Sequence, residues 1–280
     1  MKALTCLVLG FAVLAPAPRL PPRPEPPSSG DTCSASIRAA HRGDLRLVDR
    51  NPLLGEPSKP NDAPGPGSLR ARVRTDSLHH ANIFIDDVAR GASRRLCAGS
   101  VPAWSPDGRW IAFRSWKSRD QWHVLMLVDP TTGIAHAVEG IGQIENYAWS
   151  PDASRLAFTA LHESPFEWQV GWIDIPKGTA HIIGTDESVY TEYDGLAWAP
   201  DGRRFIVNCS AENEHDDGMN SSDLWLYDIG GGRCRLTATP REEELDGGWI
   251  DNRSIRFSLL DESGTADTIA FIQRVIELPQ

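Results

Sequence analysis

Residues 102–113 read PAWSPDGRWIAF, residues 147–158 read YAWSPDASRLAF, and residues 196–207 read LAWAPDGRRFIV. A weaker fourth copy, GWIDNRSIRFS, occupies residues 248–258. Each copy contains a tryptophan before a turn, and the spacings between these tryptophans are 45, 49 and 51 residues. The four are Trp104, Trp149, Trp198 and Trp249. Self-similarity at such a period is typical of an array of similar structural units.

The turn after each tryptophan is built from residues that reverse the chain. Proline presets φ at the first corner, aspartate tolerates the second, and glycine follows where φ is positive. These residues are Pro106, Asp107, Gly108, Pro151, Asp152, Pro200, Asp201 and Gly202. An aspartate with a glycine four residues later, as at Asp129, Asp174 and Asp228, marks a second hairpin in each unit. Each unit is therefore predicted to be a four-stranded antiparallel meander.

Such a sheet cannot bury both of its faces alone, so the copies must stack, and radial stacking gives a propeller. Six units are expected, and they end near Asp49, Asp87, Asp129, Asp174, Asp228 and Gln273. The first two, built on residues 36–49 and 69–87, are degenerate. The prediction is an all-β, six-bladed β-propeller. We interpret the repeated tryptophans as packing residues between blades rather than ligand contacts.

The composition excludes several classes of protein. The chain has 280 residues, with 38 acidic and 28 basic side chains and a formal net charge of −10. That balance disfavours nucleic-acid binding, which needs an excess of Lys and Arg to neutralise phosphates. No apolar run reaches the ~18 residues of a membrane-spanning helix.

The N-terminal sequence is typical of export. Residues 1–18 combine one early lysine, a short apolar run and small residues, which predicts a signal peptide, although a buried N-terminal strand or helix is the alternative. Residues 19–34 form a proline-rich spacer, and residues 35–280 form the propeller domain. Cys33, Cys97, Cys209 and Cys234 remain after the signal peptide and permit two disulfides or structural thiols.

The motifs WSPDGRWIAF and WAPDGRRFIV resemble the TolB-like β-propeller repeat of exported bacterial proteins. The resemblance covers about 180 residues confidently. It implies a periplasmic or secreted propeller that binds an envelope or secreted protein or peptide. The family's best-known member also has an N-terminal α/β domain, which we expect this chain to lack. No G-x-S-x-G motif of the related propeller-bearing proteases occurs.

Acidic residues precede the repeated tryptophans, in the loops that lead into each innermost strand. Glu145 and Asp194 lie four residues before their tryptophans, and Asp246 lies three before Trp249, with Glu244 just upstream. Loops of this kind converge at the mouth of a propeller's channel and carry function. We hypothesise that the carboxylates receive a cation, a basic peptide or a partner's Lys or Arg. The alternative is that they are ordinary solvated loop charges.

A second acidic stretch, SAENEHDDGMNSSD, occupies residues 210–223. Its carboxylates offer oxygen ligands for Ca²⁺, but the spacing matches no known calcium loop, which favours an exposed insert. The histidines are scattered, and His123, His136 and His181 are assigned to outer strands away from the channel mouth. The prediction is therefore no metal site and no cofactor, with Ca²⁺ the one ion left open.

The leading interpretation is an exported, monomeric, non-catalytic binding or scaffold module with no transmembrane span. The alternative is a propeller enzyme acting on carbohydrate, a lyase or glycosidase that uses carboxylates at the channel mouth. Two carboxylates about 5–9 Å apart in a deep pocket would favour the enzyme. A third reading is a degenerate propeller with a purely structural role.

Overall fold

Every regular element that the structure describes is a β-strand. The computed structural model describes residues 46–47, 62–116, 123–163, 166–183, 189–191, 195–211, 221–237, 244–261 and 270–279. The chain divides into two units, residues 1–31 and 32–280, and all described residues lie in the second. The predicted signal peptide and spacer lie outside the described residues. Within the described ranges, no helix is long and apolar enough to cross a membrane.

Apart from β1 (Arg46–Leu47), whose partner comes much later in the chain, the first strands form three antiparallel sheets in chain order. Sheet 1 contains β2 (Asp62–Pro64), β3 (Leu69–Thr75), β4 (Ala81–Asp87) and β5 (Ala92–Ala98). Sheet 2 contains β6 (Ser100–Trp104), β7 (Ile111–Trp116), β8 (His123–Val128) and β9 (Ala135–Ala137). Sheet 3 contains β10 (Gln143–Trp149), β11 (Arg155–Glu163), β12 (Phe166–Asp174) and β13 (Thr179–Ile182).

Two further sheets follow. Sheet 4 contains β14 (Val189–Thr191), β15 (Ala197–Trp198), β16 (Arg204–Ala211), β17 (Ser221–Asp228) and β18 (Arg233–Arg235). Its first strand is in two pieces, because β14 and β15 both pair with β16. Sheet 5 contains β19 (Glu244–Trp249), β20 (Ser254–Asp261) and β21 (Ala270–Glu277). Its fourth strand is β1, with Arg46 opposite Glu277. This sheet therefore combines the first and the last strands that the structure describes.

These sheets confirm the prediction of an all-β chain built from four-stranded antiparallel units. The described residues contain five such sheets, and the predicted count of six is not confirmed. Of the first predicted unit, residues 36–49, only β1 is described, and it belongs to sheet 5. The second predicted unit is a complete meander, sheet 1, so its degeneracy is not confirmed either.

The turns lie where the repeat predicts them. In sheet 2 the Ser105 amide donates to the Trp110 carbonyl at 2.9 Å, and the Gly108 amide donates to the Ser105 carbonyl at 2.9 Å. Gly108 has φ +72°, a conformation that glycine adopts without steric cost. The Asp107 side chain accepts from the Ser105 hydroxyl at 2.6 Å and so fixes the turn from within. We call this end of the sheets the turn end, and the opposite end the loop end.

Apolar clusters join successive sheets face to face. The cluster between sheets 2 and 3 is representative: Ala112 and Leu125 of sheet 2 pack against Leu156 and Phe158 of sheet 3, all fully buried. Equivalent clusters join sheets 1 and 2, sheets 3 and 4, and sheets 4 and 5. The first strands of sheets 2 to 5 also contact one another in order, as expected for strands that line the inside of a stacked array.

The repeated tryptophans lie at these seams. The Trp149 indole N–H donates to the Ala103 carbonyl at 3.0 Å, and the Trp198 indole N–H donates to the Ala148 carbonyl at 2.9 Å. The Trp249 indole donates to Ala197 in the same way at 3.1 Å. Each acceptor directly precedes the tryptophan of the previous unit. The tryptophans therefore link the first strand of one sheet to the first strand of the sheet before it.

Trp104 departs from this series. Its indole nitrogen is buried and has no hydrogen-bond partner among the described residues. The ring lies against Gly65 of sheet 1, where an added Cβ would approach it to 2.5 Å. Sheet 1 has Ala-Pro-Gly-Pro-Gly at residues 63–67 where other units have the tryptophan turn. The ring is accommodated because residue 65 has no side chain.

The described cysteines are thiols. Cys97, Cys209 and Cys234 form no disulfide. Cys209 belongs to the cluster between sheets 3 and 4, whereas Cys234 belongs to the cluster between sheets 4 and 5. The two side chains therefore lie on opposite faces of sheet 4 and cannot bond to each other. Of the two readings that the sequence left open, structural thiols hold for these three residues, while Cys33 lies outside the described residues.

Candidate functional site

The structure places three of the four predicted binding carboxylates. Glu145 lies in β10, and Glu244 and Asp246 lie in β19, all on first strands near the loop end. Asp194 lies outside the described residues. Glu145 is 7% exposed and Glu244 is fully buried, whereas Asp246 is exposed. Only Asp246, among the described three, presents its side chain to solvent.

All three carboxylates lie at or beside irregularities in the first strands. The register shifts between Ile144 and Asn146 in β10 and between Leu245 and Gly248 in β19. The same shift occurs in β6, between Ser100 and Ala103. A bulge of this kind leaves a residue unpaired and redirects its side chain. The bulge is thus a repeated feature of the first strands, and sequence reasoning missed it.

Glu145 is held by residues of two sheets. The Gln143 side chain donates to its carboxylate at 2.9 Å. Burial raises the pKa of Glu145, while the positive charge of Arg114 on sheet 2 and the hydrogen bond from Gln143 act in the opposite direction. Nearby, the Tyr147 hydroxyl donates to the Val101 carbonyl of sheet 2, and burial raises its pKa. Glu145 therefore belongs to the seam between sheets 2 and 3.

Glu244 is part of a similar seam between sheets 4 and 5. Its backbone carbonyl accepts from the Asn208 amide at 2.6 Å and from the Ser222 hydroxyl at 2.7 Å. Asn208 fits only because its neighbours lack side chains: an added Cβ on Gly195 would lie 2.3 Å from the Asn208 oxygen. The buried side chain of Glu244 is not placed to receive a partner from solvent.

Asp246 is presented differently. It has φ +53°, which non-glycine residues rarely adopt. The following residue, Gly247, packs so closely on sheet 4 that an added Cβ would lie 2.7 Å from the Leu224 side chain. The backbone around Asp246 is therefore constrained while its side chain is exposed. Sparsely populated backbone conformations cluster at functional sites, so this position is the best placed of the predicted carboxylates.

The second strands carry a polar series that sequence reasoning also missed. Each repeated tryptophan pairs with a residue of the second strand, and three residues after that partner the strand has a polar side chain. The four polar residues are Arg114, Thr159, Asn208 and Ser258. Arg114 acts on Glu145 of the following sheet, and Asn208 bonds Glu244 of the following sheet. The detectable signal was a polar residue at the same repeat position in otherwise apolar strands.

A cleft opens at the loop end between sheets 2 and 3. It has a volume of about 810 Å³. Its lining includes Trp116, His123, Met126, Glu139, Leu161 and His162. His123, assigned from sequence to an outer strand away from the mouth, begins β8 and lines this cleft. Trp116 is outside the repeated motif, and that departure was the available sequence signal.

The described residues offer no group of three His, Cys, Asp or Glu side chains that could hold a metal ion. The acidic insert at residues 210–223 lies largely outside the described residues. Glu139 is the one carboxylate among the described residues that line the cleft.

Neither a protein-family model nor a curated protein matches the chain. Solved structures do. TolB from Acinetobacter baumannii is similar with a TM-score of 0.51 and 21% identity, over 74% of this chain and 52% of that chain. The β-propeller domain of the trilobed protease from Pyrococcus furiosus is similar with a TM-score of 0.58 and 15% identity, over 78% and 69%.

The tricorn protease is similar with a TM-score of 0.57 and 16% identity, over 75% of this chain and 20% of that chain. This chain thus spans about half the length of the TolB structure and a fifth of the tricorn protease. At these identities the comparisons establish the fold and nothing more. The fold is a β-propeller of the TolB-like kind.

Proposed function

We propose that the protein is an exported, non-catalytic propeller module that binds an envelope or secreted protein or peptide through the loop end of its first strands. The observation that carries the proposal is Asp246, an exposed carboxylate held at φ +53° in a bulge of β19. A constrained backbone presents the charge without an ordering cost on binding. The net charge of −10 favours a partner with a basic patch.

Glu145, Asp194 and Glu244 were predicted as further binding carboxylates. Their burial makes Glu145 and Glu244 supporting residues of the bulges in this proposal, and Asp194 stays a proposed contact. The module is proposed to act as a monomer in the periplasm or outside the cell, after removal of residues 1–18. Six repeat units stay part of the proposal, although the one described strand of the predicted first unit, β1, completes sheet 5.

The site is tested by capture of partners from an extract of the cell envelope. The wild-type chain is compared with Asp246→Asn, which removes the charge, and Asp246→Lys, which reverses it. We expect capture of the same protein to weaken with Asp246→Asn and to fall at least tenfold with Asp246→Lys. Asp76→Asn, which changes another exposed carboxylate at the loop end, on sheet 1, is the matched control and should leave capture unchanged. Equal capture by all four proteins would overturn the site.

Export is tested on the same chain in its own cells. Intact-mass measurement of the protein from the envelope fraction should show loss of about the first 18 residues. A full-length mass in the cytoplasmic fraction would contradict the proposed location, and it would leave the Asp246 experiment to be judged on its own result.

A further inference from the structure

The cleft between sheets 2 and 3 begins where the closely packed apolar seam between these two sheets ends. Towards the turn end, Ala112, Leu125, Leu156 and Phe158 close the seam completely. Towards the loop end the two sheets separate, and the chain crosses between them through residues 138–142. The result is a cavity of about 810 Å³, within the ~300–1,000 Å³ range of ligand sites.

Part of the cleft is apolar. Val138 and Ile141 line it and also pack against the apolar cluster between sheets 2 and 3. Val124, Met126 and Leu161 also line the cleft, together with the polar residues Ser115, Gln143 and His162. Against the aliphatic groups, a sugar hydroxyl would lose water without gaining a hydrogen bond. An apolar side chain would instead gain from burial, by roughly 1.5–3 kcal/mol for a residue such as Phe or Leu.

Trp116 stands at the rim and is 58% exposed. The repeated tryptophans are different, since Trp104 and Trp198 are 9% and 8% exposed. The Trp116 ring lies against His123 with 4.4 Å between ring centroids, so it has a lateral support while its surface remains open. Tryptophan is enriched among residues that dominate binding energy, because it buries a large rigid area.

The charge of the lining has one sign. Glu139 is exposed at the rim, and the described residues that line the cleft include no Lys or Arg. Burial, aided by the positive charge of Arg114, lowers the pKa of His123 and so favours the neutral ring. The cleft therefore disfavours phosphates and carboxylates and is complementary to a ligand that carries a cation beside an apolar group.

We propose that this cleft is a second binding site, which takes a peptide segment with one aromatic or large aliphatic side chain next to a Lys or Arg. The apolar side chain packs against Val138, Ile141 and Trp116. The adjacent cation pairs with Glu139. The site is separate from Asp246, which lies on sheet 5, so either site can fail without the other.

The test follows the indole N–H signals of the ¹⁵N-labelled chain by NMR while short peptides are added. The probe is N-acetyl-Lys-Phe-Lys-amide, and the controls are N-acetyl-Lys-Ala-Lys-amide, N-acetyl-Glu-Phe-Glu-amide and cellotriose. The Trp116→Phe variant identifies the Trp116 signal. We expect that signal to shift saturably with the probe, and to respond at least fivefold more weakly to each of the three controls.

Variants separate the parts of the site. Trp116→Ala should weaken probe binding at least fivefold, as followed by chemical-shift changes of backbone amides at residues 138–142. Glu139→Gln should reduce the preference for the basic over the acidic peptide to less than twofold. Trp110→Ala is the matched control, because Trp110 also packs against a histidine, His136, but does not line the cleft. It should leave probe binding unchanged.

Three results would overturn the proposal. One is the absence of a saturable shift up to millimolar probe, and another is a saturable shift with cellotriose in place of the peptide. The third is probe binding that survives Trp116→Ala. None of these bears on capture through Asp246, so a failure here is distinguishable from a failure of the proposed function.

Discussion

Ionisable side chains at the turn end and beside the loop-end cleft have pKa values that are shifted for different physical reasons. At the turn end, backbone amides lower the pKa of Asp129 and Asp251, and the Lys177 side chain lowers that of Asp174. At the loop end, burial raises the pKa of Glu145 and lowers that of His123. These turn-end aspartates are stabilised in the ionised form, whereas Glu145 and His123 beside the cleft are stabilised in the neutral form. Asp76, in the loop-end turn of sheet 1, resembles the turn-end aspartates, because the His80 backbone amide lowers its pKa.

The difference follows from how each end is built. The turn end repeats the same hydrogen bonds from unit to unit: Ser150 and Asp152 reproduce the contact that joins Ser105 to Asp107, at the same 2.6 Å. The loop end varies. Gly99 alone connects sheets 1 and 2, whereas residues 138–142 connect sheets 2 and 3 and border the cleft. The repeated hydrogen bonds thus stabilise the turn end, and the varied length of the connections leaves space for a ligand at the loop end.

Acid should destabilise the turn end, where the aspartates ionise more readily in the folded chain than in the unfolded one. An aspartate whose folded pKa is depressed contributes stability that is present above its unfolded pKa of about 3.9 and is lost as the pH falls through the folded value. We expect the urea midpoint of unfolding to drop steadily below about pH 4. Replacing Asp129, Asp174 and Asp251 together with asparagine should flatten that decline.

The contribution of Glu145 to folding stability should depend on pH in the opposite direction. Its folded pKa is raised, so its contribution is present below the unfolded pKa of about 4.3 and is lost as the pH rises through the folded value. Glu145→Gln should therefore compare better with the wild type at pH 7 than at pH 4. If both sets of variants changed the pH profile in the same direction, the contrast between the two ends would be wrong.

Replacing a glycine with alanine should lower the free energy of unfolding more at Gly142, at the loop end, than at Gly133, at the turn end. An added Cβ at Gly142, at the loop end, would lie 2.2 Å from the Leu161 carbonyl oxygen, a backbone atom that cannot rotate away. Gly142→Ala should lower the free energy of unfolding by about 3 kcal/mol through overpacking. Gly133, at the turn end, has φ +75° and open space around it, so Gly133→Ala should cost about 0.5 kcal/mol, the backbone strain less the gain in unfolded-chain entropy. Urea denaturation of both variants measures the difference.

The repeat predicted what depends on local chemistry and missed what depends on distant neighbours. Pro106, Asp107 and Gly108 specify a turn by their own φ preferences and hydrogen bonds, and the strands on either side follow from that turn. The pairing of β1 with β21 has no local signal. The burial of Glu145 was not predictable either, because it depends on the bulge in β10 and on how sheet 3 packs against sheet 2.

The seam tryptophans test the interface between sheets. Trp198→Phe removes the indole hydrogen bond to the Ala148 carbonyl, whereas Trp104→Phe removes an indole nitrogen that has no hydrogen-bond partner within the described ranges. Both changes delete a similar volume from a buried ring. We expect Trp198→Phe to cost about 1 kcal/mol more than Trp104→Phe, the typical net value of one hydrogen bond. Equal losses in thermal or urea unfolding would show that the repeated hydrogen bond contributes nothing beyond packing.

The smallest effect is expected within the turn end itself. Ala153 occupies the position held by Gly202 in sheet 4, and both amides donate to the residue three positions earlier at 2.9 Å. Ala153 has φ +58°, which costs an L-residue about 1 kcal/mol, while glycine gains about 0.5 kcal/mol more unfolded-chain entropy. Ala153 is 7% exposed, so Ala153→Gly also removes a buried methyl group worth about 0.8 kcal/mol, and its net effect should lie within about 0.5 kcal/mol of zero. Gly202→Ala should destabilise the protein by about 0.5 kcal/mol. Because the nearest atom to an added Cβ on Gly202 is 3.9 Å away, packing cannot account for that loss. A loss above about 1 kcal/mol for either variant in urea denaturation would contradict the equivalence of the two turns.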